Sequence, residues 1–383
     1  MDESDKERPT EKAAPVEASA KAQEAPTSES EKKRERNKRV RSVLLYLLFF
    51  LVNAIVIAVF LLQEDKTGDR ALWENVKINL SDNLLFAIPA LFGYVLVLLA
   101  DVLVFNVLIY KLGGRNKSVL ATKAAVYGRY YDKITPWSVG GEPFQIGYLI
   151  FGGLRAGESC AVTMSRHIVR FFTTAPIVIA ILLIGRISTN AVVMAAAILS
   201  VIFGLIVPTL MLICAKRPVV GEKIGLFVIR VLTKVRIVKD PQKITDRLKE
   251  NIRKFSLGVD HLTKNRWALP VIACAAIIEL VVTNSLPYFV IRAFGYAEVN
   301  FWRTFVLCVY VTYASGVAPT PGGAGLAELS FYAVFATIVP DGYLFWAVLF
   351  WRIAVFYLPV FIGFLLHIYD SVRGVVRSVK QRR

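Results

Sequence analysis

Two stretches of this chain, Val43–Leu62 and Ala191–Ala215, run for at least twenty residues without one charged side chain. About 20 apolar residues in a helix cross the roughly 30 Å hydrocarbon core of a bilayer. Runs of this kind fix the solvent before they fix anything else. Composition agrees: of 383 residues, 55% are hydrophobic and 20% charged, against roughly 45–50% and about 25% in soluble domains. Mean hydropathy is +0.53. The chain therefore reads as a polytopic membrane protein. A soluble enzyme, a disulfide scaffold and a mainly disordered chain are excluded.

The formal net charge of +17 invites a nucleic-acid reading, but its placement argues against one. Most basic residues lie in loops beside apolar runs, where they set topology and meet anionic headgroups. No nucleic-acid partner is expected. The cysteines Cys160, Cys214, Cys274 and Cys308 lie far apart in apolar stretches and read as small packing residues. No Cys/His cluster has metal-ligand spacing, so neither metal nor cofactor is expected.

Six segments are long enough to span: 42–62, 84–110, 159–184, 190–215, 268–292 and 342–369. Residues 1–41 are polar, have little to bury and read as a disordered cytoplasmic tail. They end in a basic cluster from Lys32 to Arg41 that makes the first run a signal anchor rather than a cleavable signal. The loop after the first span carries Glu64, Asp65, Asp69, Glu74 and Asp82 against three bases and fits the outside. Residues 216–266 hold fourteen Lys/Arg against five acids and fit the cytoplasm, as does the basic tail 371–383. Within 216–266, the alternation over Asp240–Lys264 predicts an amphipathic helix, lying either on anionic lipid or in solvent as a linker.

Two remaining stretches, 119–150 and 301–340, are each two short helical pieces broken by Pro and Gly-Gly. Counting either as a full span would put 216–266 outside, so both are expected to be re-entrant hairpins. Such backbone is tolerated at membrane depth only where protein or a water-filled cavity receives its polar groups. A repeat follows: 84–110, 119–150 and 159–184 form span, hairpin, span, and 268–292, 301–340 and 342–369 form the same unit inverted. The expected fold is thus all-α, with about six transmembrane helices and two re-entrant hairpins in an inverted repeat spanning 42–370. Secondary transporters are built this way.

Ionisable groups inside a membrane are expensive, so each is a functional candidate. Asp101 and Glu279 lie in the leading spans, Arg166 and Arg170 in one trailing span and Arg352 in the other. The two arginines four apart share a helix face, whereas His167 is expected to point elsewhere. Arg352 has Glu279 or Glu328 as its expected counter-ion. Pro136, Gly140 and Gly141 with Glu142, and Pro321, Gly322 and Gly323 with Glu328, mark the turns. Glycine allows positive φ and close approach. A helix restarting after such a turn offers free N–H groups to an anion such as phosphate. All thirteen of these residues are substrate-binding candidates. No Walker pattern, GxGxxG or HExxH is present, and nothing supplies the nucleophile or metal that bond cleavage requires. The chain is not expected to be an enzyme.

The run Thr135-Pro136 through Gly140-Gly141-Glu142-Pro143, the span with Arg166 and Arg170, and Pro319-Thr320-Pro321-Gly322-Gly323 with Gly325 and Glu328 resemble the flippase-like membrane domain of lysylphosphatidylglycerol synthases. The resemblance covers about 42–370. It implies translocation of a charged-headgroup phospholipid, such as aminoacylated phosphatidylglycerol, between leaflets. The sequence given stops thirteen residues after Asp370, so a standalone member without the aminoacyltransferase domain is expected. A polyprenyl-phosphate-linked lipid and a non-transporting scaffold for a lipid-modifying enzyme are the alternatives. Expected partners are a phospholipid substrate, anionic headgroups, a separate lipid-modifying enzyme and a second copy of the chain. The expected location is the inner (cytoplasmic) membrane, with both termini cytoplasmic.

Overall fold

A computed structural model describes residues 83–113, 117–185, 190–234, 241–265 and 267–381. The tail 1–41, the span 42–62 and the acidic loop after it lie outside the described residues. Twelve helices follow in order among those described. They are α1 (Leu84–Gly113), α2 (Ser118–Ile134), α3 (Gly141–Phe151), α4 (Ala156–Ile184), α5 (Ala191–Lys216) and α6 (Pro218–Lys234). After them come α7 (Pro241–Lys264), α8 (Ala268–Ala293), α9 (Phe301–Ser315), α10 (Leu326–Phe335), α11 (Asp341–Arg352) and α12 (Leu358–Gln381). Among the described residues, five candidate spans are long and apolar enough to cross a membrane, including Leu84–Leu112, Ala268–Ala293 and Tyr343–Arg373. The protein is all-α and polytopic. Its outward faces stay apolar, with Leu85, Phe92, Ile184, Phe203 and Phe361 exposed, as a lipid-facing surface requires.

The interrupted stretches fold as helix–turn–helix units, α2/α3 and α9/α10. α2 stops because Thr135 precedes Pro136 and is extended, with ψ 148°. α10 restarts after Gly322, Gly323 and Gly325, all at positive φ. The leading helices of the two units, α1 and α8, pack along each other. The other contacts cross over: α2 of the first unit meets α12 of the second, and α9 of the second meets α4 of the first. The two turns touch, with Pro136 and Pro321 paired in an isolated antiparallel bridge.

Three expectations are revised. The last predicted span is not one regular helix: a π-helical turn, Ile353–Tyr357, separates α11 from α12 directly after Arg352. The helix then runs on to Gln381. The basic segment 216–266 forms two helices, and the apolar stripe of α7 is turned largely to protein. Val259 and Leu262 are buried in one cluster with Phe105, Ala161 and Ile272. Gly157 and Gly258 permit this: a Cβ on Gly157 would strike Lys254, and one on Gly258 would lie 2.5 Å from the Ala161 Cβ. Cys308 is the one buried cysteine, and Cys274 is exposed, so the packing role fits the first and not the second.

Candidate functional site

The expected intramembrane charges converge, and the residue that joins them was not among the candidates. Arg129 of α2 donates from Nε to Asp101 Oδ2 at 2.5 Å and from Nη1 to Glu279 Oε1. Arg166 donates to the other oxygen of Asp101, at 2.6 Å from Nη2 and 3.2 Å from Nε. Arg170 donates from Nη2 to Glu279 Oε1 at 3.0 Å. Three guanidiniums from α2 and α4 thus share two carboxylates from α1 and α8. The side chains of Asp101, Arg129 and Arg166 are at most 11% exposed, whereas Arg170 is 32% exposed. Arg129 Nη2 is buried and has no hydrogen-bond partner among the described residues.

Arg129 had a legible signal. It sits in Tyr127–Lys133, the most charged part of a stretch otherwise placed at membrane depth. Asp132 lies in the same charged run and was not among the candidates either. Its Oδ1 accepts the Gly141 amide at 2.9 Å, and so closes the start of α3.

The first turn differs from expectation. Gly140 has φ −81°; the left-handed residues are Trp137 (φ 52°) and Ser138 (φ 54°). Gly140 donates its amide to Thr135 Oγ1 at 2.9 Å. Gly141 is required for room, because a Cβ there would strike Asp132 and lie 2.6 Å from the Gly128 carbonyl oxygen. In the second turn the glycine argument holds: Gly322 has φ 57° and Gly323 φ 69°.

Each turn is followed by a glutamate near the start of the restarted helix, and each is held by a base from its trailing helix. Glu142 Oε1 lies 2.8 Å from His167 Nδ1, so His167 joins the site instead of pointing away from it. Its ring also packs on Phe171. Glu328 accepts from Arg352 Nε and caps α10 by accepting the Gly325 amide at 2.7 Å. Arg352 Nη1 donates to the Gly322 carbonyl at 3.3 Å, its guanidinium lies 4.9 Å from the Phe356 ring, and Nη2 is buried with no partner among the described residues. Arg352 therefore pairs with Glu328 and not with Glu279. The helix starts expected to be free for phosphate already donate Gly141 and Gly325 amides to carboxylates. Their dipoles favour negative charge, and the chain supplies it.

Chemically, the arrangement is a set of ion pairs whose partners can be exchanged. Both signs are present, all desolvated to some degree, and the guanidiniums can hold phosphate oxygens bidentately. Among the described residues no group of three or more His, Cys, Asp and Glu could hold a metal.

Comparison with known proteins agrees with this architecture. The chain is 22% identical over 266 residues to a UPF0104 membrane protein of Archaeoglobus fulgidus, covering 69% of this chain and 80% of that one. No solved structure matches. The family model described as "Lysylphosphatidylglycerol synthase TM region" matches residues 39–363. With most of its length covered by that match, the chain belongs to the lysylphosphatidylglycerol synthase transmembrane-region family.

Proposed function

We propose that this protein translocates a phospholipid with a charged headgroup between leaflets, acting as a carrier and not as an enzyme. The observation that carries the reading is the shared-carboxylate network at the junction of the two units. Isolated charges are costly at membrane depth, and removing one partner of a buried pair costs about 3–5 kcal/mol. A network in which two carboxylates serve three arginines lets one arginine turn to a phosphate while its carboxylate keeps another base. Arg170, the most open member, is the first contact. The set carries three positive charges against two negative, which suits a phosphodiester monoanion. Asp101 and Glu279 can receive the ammonium of an aminoacylated headgroup once their arginines bind its phosphate.

The α2/α3 and α9/α10 units are re-entrant in this reading, with the Pro136–Pro321 contact near mid-depth. The basic α6 and α7 and the end of α12 face the cytoplasm of an inner membrane, following the positive-inside rule. Partners are the phospholipid, anionic headgroups around the basic end and a separate enzyme that supplies the modified lipid.

The test is a headgroup-accessibility assay on the protein reconstituted in liposomes, with aminoacylated phosphatidylglycerol and with plain phosphatidylglycerol. Protein-dependent flipping that falls at least tenfold in Arg170→Lys supports the reading. No flipping above protein-free liposomes would sink it and leave a non-transporting scaffold. Equal rates in wild type and Arg170→Lys would reduce the arginine to a counter-ion.

A further inference from the structure

Where α2 crosses onto α12, a second polar group joins the two units. Lys123 donates from Nζ to Asp370 Oδ1, and Tyr127 donates from its hydroxyl to Asp370 Oδ2 at 2.9 Å. The Tyr127 ring is held by Phe144, Tyr148 and His367, with centroids 5.3–5.5 Å away. A Cβ on Gly363 would strike Tyr130, so the helices approach closely one turn deeper. The crossing at the other end, α9 on α4, has a different chemistry: Tyr310, fully buried, donates to the Leu182 carbonyl at 2.8 Å. One crossing is closed by a neutral hydrogen bond in an apolar setting. The other is closed by charge and is partly open, with Lys123 16% and Asp370 27% exposed.

Two donors converging on one carboxylate from one side also suit a phosphodiester, which likewise carries one negative charge over two free oxygens. Exchange is inexpensive here because Asp370 has a second base within reach. Arg373, three residues on along α12 and so a neighbour on the helix surface, is exposed and donates to the Tyr369 hydroxyl at 3.4 Å. Asp370 can leave Lys123 for Arg373 without becoming an uncompensated charge. The Tyr369 ring beneath Lys123, 5.7 Å from Nζ, gives the ammonium a further fixed contact.

We propose that Lys123 and Tyr127 form a phosphate-binding subsite at the opening between α2 and α12, which Asp370 fills when no phosphate is there. That the phosphate belongs to a lipid headgroup rests on the translocation reading. The subsite itself does not.

The discriminating feature is sign. If the bridge were only structural, loss of either partner would weaken the same state. If Asp370 is a competitor, its neutralisation frees the donors, whereas loss of Lys123 removes one. The experiment is native mass spectrometry of the full-length chain in detergent, titrated with phosphatidylglycerol or with glycerol 3-phosphate. Asp370→Asn is expected to retain phosphatidylglycerol at roughly tenfold lower concentration than wild type, and Lys123→Gln to need roughly tenfold more. Tyr127→Phe, which keeps the ring packing, should shift in the same direction as Lys123→Gln by a smaller factor. Shifts of the same sign in Asp370→Asn and Lys123→Gln, or none in either, would overturn the subsite. A response to glycerol 3-phosphate as large as that to the lipid would overturn the lipid assignment. Opposite shifts in a protein that flips nothing in liposomes would confirm the subsite and refute translocation.

Discussion

Around the first turn, three arginines from α2 and α4 share two carboxylates from α1 and α8; behind the second turn, one arginine meets one glutamate. The first group draws residues from both units, since Glu279 belongs to the second. The second lies within one unit and also fixes its own glycine loop, through the Gly322 carbonyl and the Gly325 amide. Corresponding places in the two helix–turn–helix units have thus been given unequal work. A shared network can rearrange without stranding a charge, because each carboxylate has a second base. A sealed pair cannot, and serves better to hold a turn in place.

The comparison breaks most easily at Arg129. It alone touches both carboxylates of the network. Arg129→Gln leaves Asp101 with Arg166 and Glu279 with the more open Arg170, and removes the tie between them. A loss of about 3–5 kcal/mol is expected, from two hydrogen bonds to charged groups at about 1.5–3 kcal/mol each, with flipping abolished. Unfolding in detergent, followed by helicity, measures it. Arg170→Gln should cost under about 1 kcal/mol because its side chain is a third open to solvent, while also abolishing flipping. If the two variants were equally stable, the network would not be shared in the way described.

The second turn sharpens the comparison through sterics. Gly322 is at φ 57°, and a Cβ there would strike the Phe356 ring and lie 3.3 Å from the Lys133 carbonyl. Gly322→Ala should cost about 2–4 kcal/mol, adding left-handed strain to overpacking. Gly147 has nothing near its Cβ position, so Gly147→Ala should leave stability the same or raise it by about 0.5–1 kcal/mol. Unfolding midpoints of the two variants, measured side by side, test whether the turn is fixed by geometry or merely linked by chain.

The sequence carried the apolar spans found among the described residues and the two interruptions, because each rests on a local signal: apolar length for the first, Pro and Gly-Gly for the second. Asp101, Arg166, Arg170 and Glu279 were legible as costly intramembrane charges. Arg129, their joint partner, carries the same signal within the charged run Tyr127–Lys133, but nothing in its spacing ties it to Asp101 or Glu279. The pairing of Arg352 with Glu328 and of His167 with Glu142 depends on how α11 and α4 pass the restarted helices, which spacing along one strand of sequence does not encode. The π-helical turn after Arg352 was equally hidden, since Ile353–Tyr357 contains neither Pro nor Gly.

The next effect separates a sealed pair from a shared one by geometry at constant charge. Arg352→Lys keeps the positive charge beside Glu328 but cannot reach both the carboxylate and the Gly322 carbonyl from one planar fork. The expected cost is about 1–3 kcal/mol, the range for hydrogen bonds to charged groups. Flipping should fall with it, because the glycine loop loses its anchor. In the first unit, Arg166→Lys should cost less, since Arg129 still serves Asp101. Equal losses in the two variants would show that sharing gives no protection.

The smallest effect concerns the first turn, where the sequence placed the conformational freedom on the wrong residues. Trp137 and Ser138 sit at φ 52° and 54° while Gly140 sits at −81°. A left-handed residue other than glycine costs of order 1 kcal/mol or more, so the first turn is held under strain that the second relieves with glycines. Ser138→Gly removes the Cβ that causes the strain. Glycine also loosens the unfolded chain, which offsets part of the gain. A net stabilisation of about 0.5 kcal/mol is expected, opposite in sign to Gly322→Ala at the facing turn. If the strain is what holds Pro136 against Pro321, the more stable Ser138→Gly protein should flip lipid more slowly. If flipping is unchanged while stability rises, the strained turn is a packing compromise, and only the glycine turn positions the contact.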